Sequence, residues 1–354
     1  MRRHLWDVII VGAGPAGAVL GSLLARAGLS VAQFSRSAPD RDGPIELLLP
    51  STRSLLDGLG FREPGFGIGQ CDRVVFSWTG EEADVNELTM IDRQHGLAVN
   101  RSSFHQALQI EAERSGVQNF TATISKRKLL SPSTSRSGPE ILLDGEKHSG
   151  NWMIDATGRG HSTSYITRSK RITFSQNIAL ALPIQATSHA EALLIDAVED
   201  GWWYLSPATG KRRDLVFVTD KQTLRSLNCK RSDWLSAQLR KSETICDILD
   251  TDPDWNSVYG VDARFAALEN PINLRTVAVG DAALALDPLS GQGSLLAIKS
   301  AAILFHSILN TEKGLKSYES WIQQAHKQEF QLCLDTYRKA SHRFPNSGFW
   351  KRHI

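Results

Sequence analysis

Cysteine is scarce. Only four occur in 354 residues (Cys71, Cys229, Cys246 and Cys333), far apart and without a CxxC pair. That spacing excludes a disulfide framework and a cysteine-rich zinc site, and it predicts a reducing, cytoplasmic compartment. A charge excess of one sign is missing too. Lys and Arg number 40 against 38 Asp and Glu, a formal net charge of +2. A chain that lives on nucleic acid would carry a clear basic excess, so no nucleic-acid partner is expected. No run of about 18 apolar residues occurs, so no membrane span is expected either. The largely apolar stretch 8–29 behind Arg2-Arg3 imitates an export signal. Asp7 interrupts its front, and Gly12, Gly14, Pro15 and Gly17 break it where a spanning helix would continue. The ten histidines show no ligand spacing, so no metal is expected. There is no GxSxG elbow for a serine nucleophile. With 41% hydrophobic and 22% charged residues the chain is not disordered, and its length suits roughly two domains.

What is present starts at the front. Asp7 to Val11 (DVIIV) reads as a buried parallel strand. Gly12-Ala13-Gly14-Pro15-Ala16-Gly17 follows, then a helix over 18–27 closed by Gly28, then a second strand over 29–34. Strand, GxGxxG, helix and strand within about 30 residues is the context a dinucleotide site needs. Gly12 allows the tight turn, Gly14 lets a pyrophosphate approach the backbone, and Gly17 lets the helix pack on the strand. The helix N-terminus adds N–H groups and a positive dipole end. An acid should end the second strand to hold a ribose, but Ser35 stands there, followed by Arg36. One hydroxyl in place of a carboxylate forfeits about 1–3 kcal/mol, so weak or labile binding is expected. Arg36 is placed to stack on an adenine, to meet a phosphate, or to be solvated.

A second constellation lies far downstream. Residues 275–279 (RTVAV) read as a strand and run into Gly280-Asp281-Ala282-Ala283. Asp287-Pro288-Leu289-Ser290-Gly291-Gln292-Gly293 follows and opens a long helix. Gly291 and Gly293 leave backbone N–H groups open at that helix start, which suits a delocalised anion.

Together these motifs resemble the FAD-dependent monooxygenases of the hydroxybenzoate-hydroxylase superfamily, with its halogenase and geranylgeranyl-reductase relatives. The resemblance implies an α/β fold. A Rossmann-like FAD domain of the glutathione-reductase-2 type would carry an antiparallel β-sheet substrate domain and a C-terminal helical segment. It also implies FAD contacts at Gly12, Gly14, Ala16, Gly17, Ser35 and Arg36. Asp281 would meet the ribityl and pyrophosphate region, and Pro288, Gly291, Gln292 and Gly293 would lie under the isoalloxazine. Residues 97–108 (LAVNRSSFHQAL) are similar to the family's arginine-bearing segment, which gives Arg101 an FAD contact. Residues 44–50 (PIELLLP) align with the halogenase-like GExxxP stretch through Glu46 and Pro50, although Ile45 replaces the usual glycine. Residues 155–159 (DATGR) match the turn that closes the FAD domain.

Two segments narrow the resemblance. Residues 199–204 (EDGWWY) look like the GWWY-type strand of halogenase relatives. The tail 343–350 (RFPNSGFW) resembles the RWPxSxFW ending of the LodB and GoxB type. Those proteins are short flavoprotein maturases of cysteine tryptophylquinone amino-acid oxidases. The implied partner is the precursor of such an oxidase, whose tryptophan would be hydroxylated through a flavin C4a-hydroperoxide. FAD, O₂ and an external reductant such as NAD(P)H or a reductase would be needed, because the single GxGxxG is committed to FAD. No side-chain nucleophile is required, so the flavin-proximal candidates are Pro288, Gly291, Gln292 and Trp202, with core packing the plainer role for Trp202. His105 and His161 are expected to be hydrogen-bonded structural residues.

Three other functions stand beside this one. Family halogenases rely on a lysine downstream of GExxxP, and this chain has no lysine before Lys126. Hydroxylation or reduction of a small molecule is open. With Ser35, Ile45 and Leu284 off-pattern, the chain would alternatively be a weakly flavin-binding chaperone of the partner oxidase. By resemblance, residues 1–75, 95–165 and 262–310 build a discontinuous FAD domain. Segments 76–94 and 166–261 build an antiparallel lid with Trp202, Trp203, Trp234 and Trp255 on or near it, and 311–354 form a helix and tail. Residues 131–138 read as a polar turn.

Overall fold

The computed structural model describes residues 3–37, 43–61, 68–80, 83–88, 95–125, 128–131, 138–160, 166–185, 189–249 and 251–354. His161, Lys126 and the centre of the polar stretch 131–138 lie outside the described residues.

Strand Arg3–Val11 is the middle of the first sheet, with parallel neighbours Val31–Ser35 and Glu146–Asp155. Strands Gln118–Thr121 and Thr276–Ala278 extend the parallel set on either side. Its apolar residues alternate. Val8 and Ile10 point into a core shared with helices Pro15–Arg26, Arg101–Arg114 and Gly293–Leu309, while Ile9 and Val11 face Phe34, Ile141 and Met153. A strand buried on both faces must read as a continuous apolar run, which is why VIIV does. The register sets Val11 beside Phe34 and Asp155, and Asp155 beside Ala278. The C-terminal ends of these strands therefore share one edge, where open α/β sheets bind ligands. GAGPAG, DATGR and GDAA each leave the sheet at that edge.

The second sheet has seven strands in the order 259–262, 177–185, 212–220, 201–205, 192–198, 73–77 and 84–87. It is antiparallel except where Ala192–Val198 runs parallel to Arg73–Ser77. Strand Arg73–Ser77 follows the small-sheet strand Ile68–Cys71 and pairs antiparallel with Asp84–Glu87 on its other side. It also straddles the boundary expected at residue 75. The GWWYL strand obeys the period of two. Trp202 and Tyr204 face Trp78, Val216, Val218 and the C-terminal tail, whereas Trp203 and Leu205 face Leu215, Phe217, Trp234 and Leu235.

Helix Thr311–Arg343 joins the two units. Its 33 residues span roughly 50 Å. Tyr318 and Ile322 near its start bury against the first sheet's core, and Tyr337 and Ala340 near its end bury under the second sheet. No helix among the described residues is long and apolar enough to cross a membrane.

Candidate functional site

The glycine turn divides its labour as its spacing predicts. Gly12 has φ +112°, and a Cβ there would sit 2.1 Å from the Ala156 carbonyl oxygen. A Cβ on Gly17 would sit 2.2 Å from the Gly12 oxygen. Both glycines are demanded by the chain's own packing. Gly14 is different: a Cβ there meets nothing within 4 Å, and its φ of −71° suits any residue. The space it leaves lies at the N-terminus of helix Pro15–Arg26, whose N-cap makes no side-chain hydrogen bond. Open N–H groups beside an open glycine fit a pyrophosphate. Gln33 Nε2 donates to the Gly12 oxygen at 3.0 Å, and Gln109 Nε2 donates to the Ala13 oxygen at 2.8 Å, so the turn is held from two sides. Ala16 abuts the downstream motif, where a Cβ on Gly280 (φ +62°) would lie 2.7 Å from Ala16 Cβ. Ser35 ends its strand half-buried, and Arg36 is exposed.

Around Asp281 the DATGR turn does the positioning. Asp155 Oδ1 accepts from Thr157 N and Oγ1 at 3.1 and 2.7 Å and shapes the turn. Burial pushes the Asp155 carboxyl up to about 6. Arg159 then donates to Asp281 Oδ2, to the Arg264 carbonyl and to the Leu286 carbonyl, at 3.0, 2.7 and 2.7 Å. Arg171 donates to the carbonyls of Asp281 and Ala282.

Glu46 and Arg101 form the opposite wall. Arg101 is the first residue of its helix, and Asn100 caps that helix by accepting from Ser103 N at 3.0 Å. Arg101 Nη1 lies 3.2 Å from Glu46 Oε1, and Ser294 Oγ donates to Glu46 Oε2 at 3.0 Å. Burial works to raise the Glu46 carboxyl, but Arg101, His105 and the Ser294 hydroxyl outweigh it and hold it below its ordinary value. Glu46 in turn raises Arg101. His105 departs from the expected hydrogen-bonded role. Its Nε2 is enclosed with no hydrogen-bond partner, and burial lowers the imidazole to about 4. Ile45, in the place of the usual glycine, is buried. Its N–H donates to Asp214 Oδ2 at 2.6 Å, which ties this stretch to the second sheet.

The floor is the 288–293 turn. Asp287 Oδ1 accepts from Leu289 N at 3.0 Å, and Ser290 Oγ accepts from Gln292 N at 3.2 Å. Gly291 is exposed in the left-handed region (φ +60°), Pro288 and Gln292 are half-buried, and a Cβ on Gly291 or Gly293 would meet nothing within 4 Å. Helix Gly293–Leu309 starts there without a side-chain cap. Two helix N-termini and three glycines facing open space thus form one cradle, and its donor set fits an FAD. Tyr204, Tyr259 and Leu289 are partly buried against the cluster that holds Trp78, Trp202 and Trp350, and Tyr204 lies within electrostatic reach of Glu46, Arg101 and Tyr259. Trp202 is only 1% exposed and donates from Nε1 to Tyr337 OH at 3.2 Å, so it presents no open surface. Leu284 is fully buried in a short strand against Ala267.

Gln33, Gln109, Arg171, Ser294 and Asp214 escaped the sequence reading. Only Gln33 carried a signal: a polar residue inside a buried strand needs a dedicated partner. Strand pairing also assembles His4, Glu146 and His148 into a set with ligand atoms within 4.8 Å of one another, which sequence spacing hid. In that set His4 Nε2 contacts Glu146 Oε2 at 3.0 Å, and Trp6 Nε1 donates to His148 Nδ1 at 3.3 Å.

Residues 6–61 match the FAD binding domain family. LodB of Marinomonas mediterranea, described as an FAD-dependent oxidoreductase, is 23% identical over 98% of this chain and 96% of its own length. Halogenases from Pseudomonas fluorescens, Chondromyces crocatus and Armillaria mellea are similar at 23–25% identity. The myxobacterial chondrochloren halogenase CndH superposes with a TM-score of 0.84 at 21% identity, covering 99% of this chain and 86% of that one. The peptidyl tryptophan dihydroxylase QhpG, essential for tryptophylquinone cofactor biogenesis, superposes with a TM-score of 0.78 at 21% identity, covering 98% and 78%.

Proposed function

We propose, from the premise that this chain is an FAD-dependent oxidoreductase of the monooxygenase and halogenase fold, that it hydroxylates a tryptophan of a partner precursor protein. The product would be a hydroxytryptophan, formed during biogenesis of a tryptophylquinone cofactor in an amino-acid oxidase. One observation carries the reading: LodB matches end to end in both directions, 98% and 96%, whereas this chain spans only 65% of the Chondromyces tryptophan 2-halogenase. QhpG, a peptidyl tryptophan dihydroxylase, supports the same direction. The absence of any lysine before Lys126 weighs against halogenation.

Reduced FAD with O₂ supplies an electrophilic oxygen, and an external reductant such as NAD(P)H or a reductase must deliver the electrons. The chain's residues bind, orient and exclude water. In this reading the Gly12–Gly17 turn and its helix N-terminus take the pyrophosphate, and Asp281, held by Arg159, takes the ribityl region. The Glu46–Arg101 pair flanks it, and the Pro288–Gly293 turn supports the ring. Tyr204 and Tyr259 roof the space in which the substrate indole is presented. Residues 1–75, 95–165 and 262–310 act as the FAD unit and 76–94 with 166–261 as its cover, working in the cytoplasm.

Co-expression with a candidate oxidase precursor, followed by mass spectrometry of the precursor, tests this. Added oxygen on a precursor tryptophan is expected. An unmodified precursor in the presence of FAD, reductant and O₂ would retire the maturase role and leave small-molecule hydroxylation or reduction. Failure to bind FAD at all would leave only the chaperone role.

A further inference from the structure

A half-buried histidine, His353, reaches a buried hydrogen-bond network. Ser347 caps the short helix Gly348–Lys351, and the Trp350 ring, fully buried, donates from Nε1 to the Val198 carbonyl at 2.9 Å. Arg352 donates to both oxygens of Asp220 at 2.7 and 2.9 Å. Between these anchors and the terminus, His353 is fixed in place. Its Nδ1 lies 2.8 Å from the Phe349 carbonyl oxygen and its Nε2 lies 2.7 Å from Asn177 Oδ1. Asn177 Nδ2 donates to Asp287 Oδ2 at 2.9 Å. Asp287 is the residue whose other oxygen caps the 288–290 turn.

The proton count of this chain of contacts is constrained. A carbonyl oxygen only accepts, so His353 Nδ1 carries a proton. An amide oxygen also only accepts. With Asn177 Oδ1 toward the ring, Nε2 carries a proton as well, and the imidazolium is balanced by an Asp287 carboxylate one amide away. The one other arrangement that satisfies every atom reverses the Asn177 amide. Its NH₂ then donates to a neutral Nε2, and its oxygen accepts from a protonated Asp287. Both arrangements hold the same number of protons. They differ in the place of one proton, which is bonded to His353 Nε2 in the first and to an Asp287 oxygen in the second.

We propose that His353 is a positioning residue for the flavin turn, sharing one proton with Asp287 through Asn177 and so setting the charge beneath Pro288–Gly293. This rests on the flavin reading above. An anion at the open N-terminus of helix Gly293–Leu309 favours the proton on Asp287, and no proton from solvent is needed to place it there. Burial acts on both partners in the same sense, raising Asp287 and lowering His353. The other groups facing Asp287 are Tyr337 and Cys333 of the long helix, with Trp202 behind Tyr337. Those facing His353 are Asp220, Arg352 and the Tyr337 ring, stacked on it at 5.0 Å.

Two measurements on the full chain test the proposal. The first follows the His353 ring nitrogens by NMR across pH, with His353→Gln identifying the signal. The titration midpoint should move in Asp287→Asn and in Asn177→Ala; a midpoint indifferent to both overturns the shared proton. The second measures the FAD dissociation constant against pH for wild type, His353→Gln, Asp287→Asn and the double variant. His353→Gln should weaken FAD binding roughly tenfold and alter its pH profile, and the effect should vanish in the Asp287→Asn background, as directly linked groups require. An unchanged profile, or an effect that simply adds, overturns the role. Should His353→Gln prove unstable, a chain ending at Arg352 keeps both anchors and must show the same coupling. No FAD binding by the wild type overturns the flavin reading and this role together, whereas an NMR midpoint indifferent to Asp287 in a protein that binds FAD overturns this role alone.

Discussion

Arg159 Nε donates to Asp281 Oδ2 at 3.0 Å, joining two residues 122 positions apart in the chain. The same guanidinium also holds the carbonyls of Arg264 and Leu286, so three loops close on one planar fork. Lysine keeps the charge but has no fork. Arg159→Lys should therefore weaken FAD binding about tenfold to a hundredfold, since each lost charge-assisted bond is worth about 1.5–3 kcal/mol. Flavin fluorescence quenching on titration measures it, and an unchanged affinity would show that Asp281 needs no such support.

The three glycines of the first turn should respond differently to the same substitution. Gly17→Ala drives a Cβ to 2.2 Å from the Gly12 oxygen, an overpacking expected to destabilise the fold by about 1–3 kcal/mol. Gly12→Ala adds a strained φ to a contact of 2.1 Å and should do worse. Gly14→Ala meets nothing, so stability should stay within about 0.5 kcal/mol of wild type. Its FAD affinity should nevertheless fall. Urea unfolding beside FAD titration separates the three; a Gly14→Ala protein that binds FAD as wild type does would mean the space at Gly14 holds something else.

What could be read from the chain divides along a physical line. The VIIV run, the GAGPAG turn and the order of DATGR, GDAA and PLSGQG were legible because each is local: period, φ and spacing are written in consecutive residues. The union of those motifs at one sheet edge follows from the register of Val11, Asp155 and Ala278, which no single segment encodes. Trp202 shows the limit. The GWWY string marks a strand, but Trp202 and Tyr204 share one face of it, and which of them faces the cradle is decided by what covers each part of that face. The long helix and the tail close over Trp202 and leave Tyr204 toward Arg101. His105 shows it again: its Nε2 is enclosed, and Glu46 and Asp281, whose charges act on it, come from distant segments.

Acid stability should depend on two buried groups that oppose each other. Burial keeps His105 neutral down to about pH 4, whereas in the unfolded chain it titrates near 6.5. As pH falls through that window the unfolded chain takes the proton first, so this group's stability, complete above 6.5, is lost. Asp155 runs the other way. Burial raises it from 3.8 to about 6, so the folded chain takes the proton first as pH falls, and its contribution is lost as pH rises through about 6. Each effect is worth about 3 kcal/mol if fully realised. Between pH 4 and 6, His105→Gln should gain stability on acidification, and Asp155→Asn should lose it more steeply than wild type. Urea midpoints across pH check the signs; variants that both track wild type would show that neither group titrates as its burial requires.

The serine at the end of the second strand offers a gain-of-function test. In the fold, Ser35 is the last residue of strand Val31–Ser35, half-buried at the sheet edge where Gly12 and Asp155 also emerge. A carboxylate at that position can accept two ribose hydroxyls with charge assistance, where a hydroxyl accepts or donates one neutral bond. Ser35→Glu should therefore tighten FAD by about 1–3 kcal/mol, roughly tenfold to a hundredfold. The substitution lies at a half-buried strand end, so it should leave the unfolding midpoint nearly unchanged. FAD retained through purification, read from the flavin absorbance per mole of protein, is the simplest measurement. Equal occupancy in Ser35→Glu and wild type would mean that the adenosine ribose lies elsewhere, and that the weakness expected of this site does not originate at residue 35.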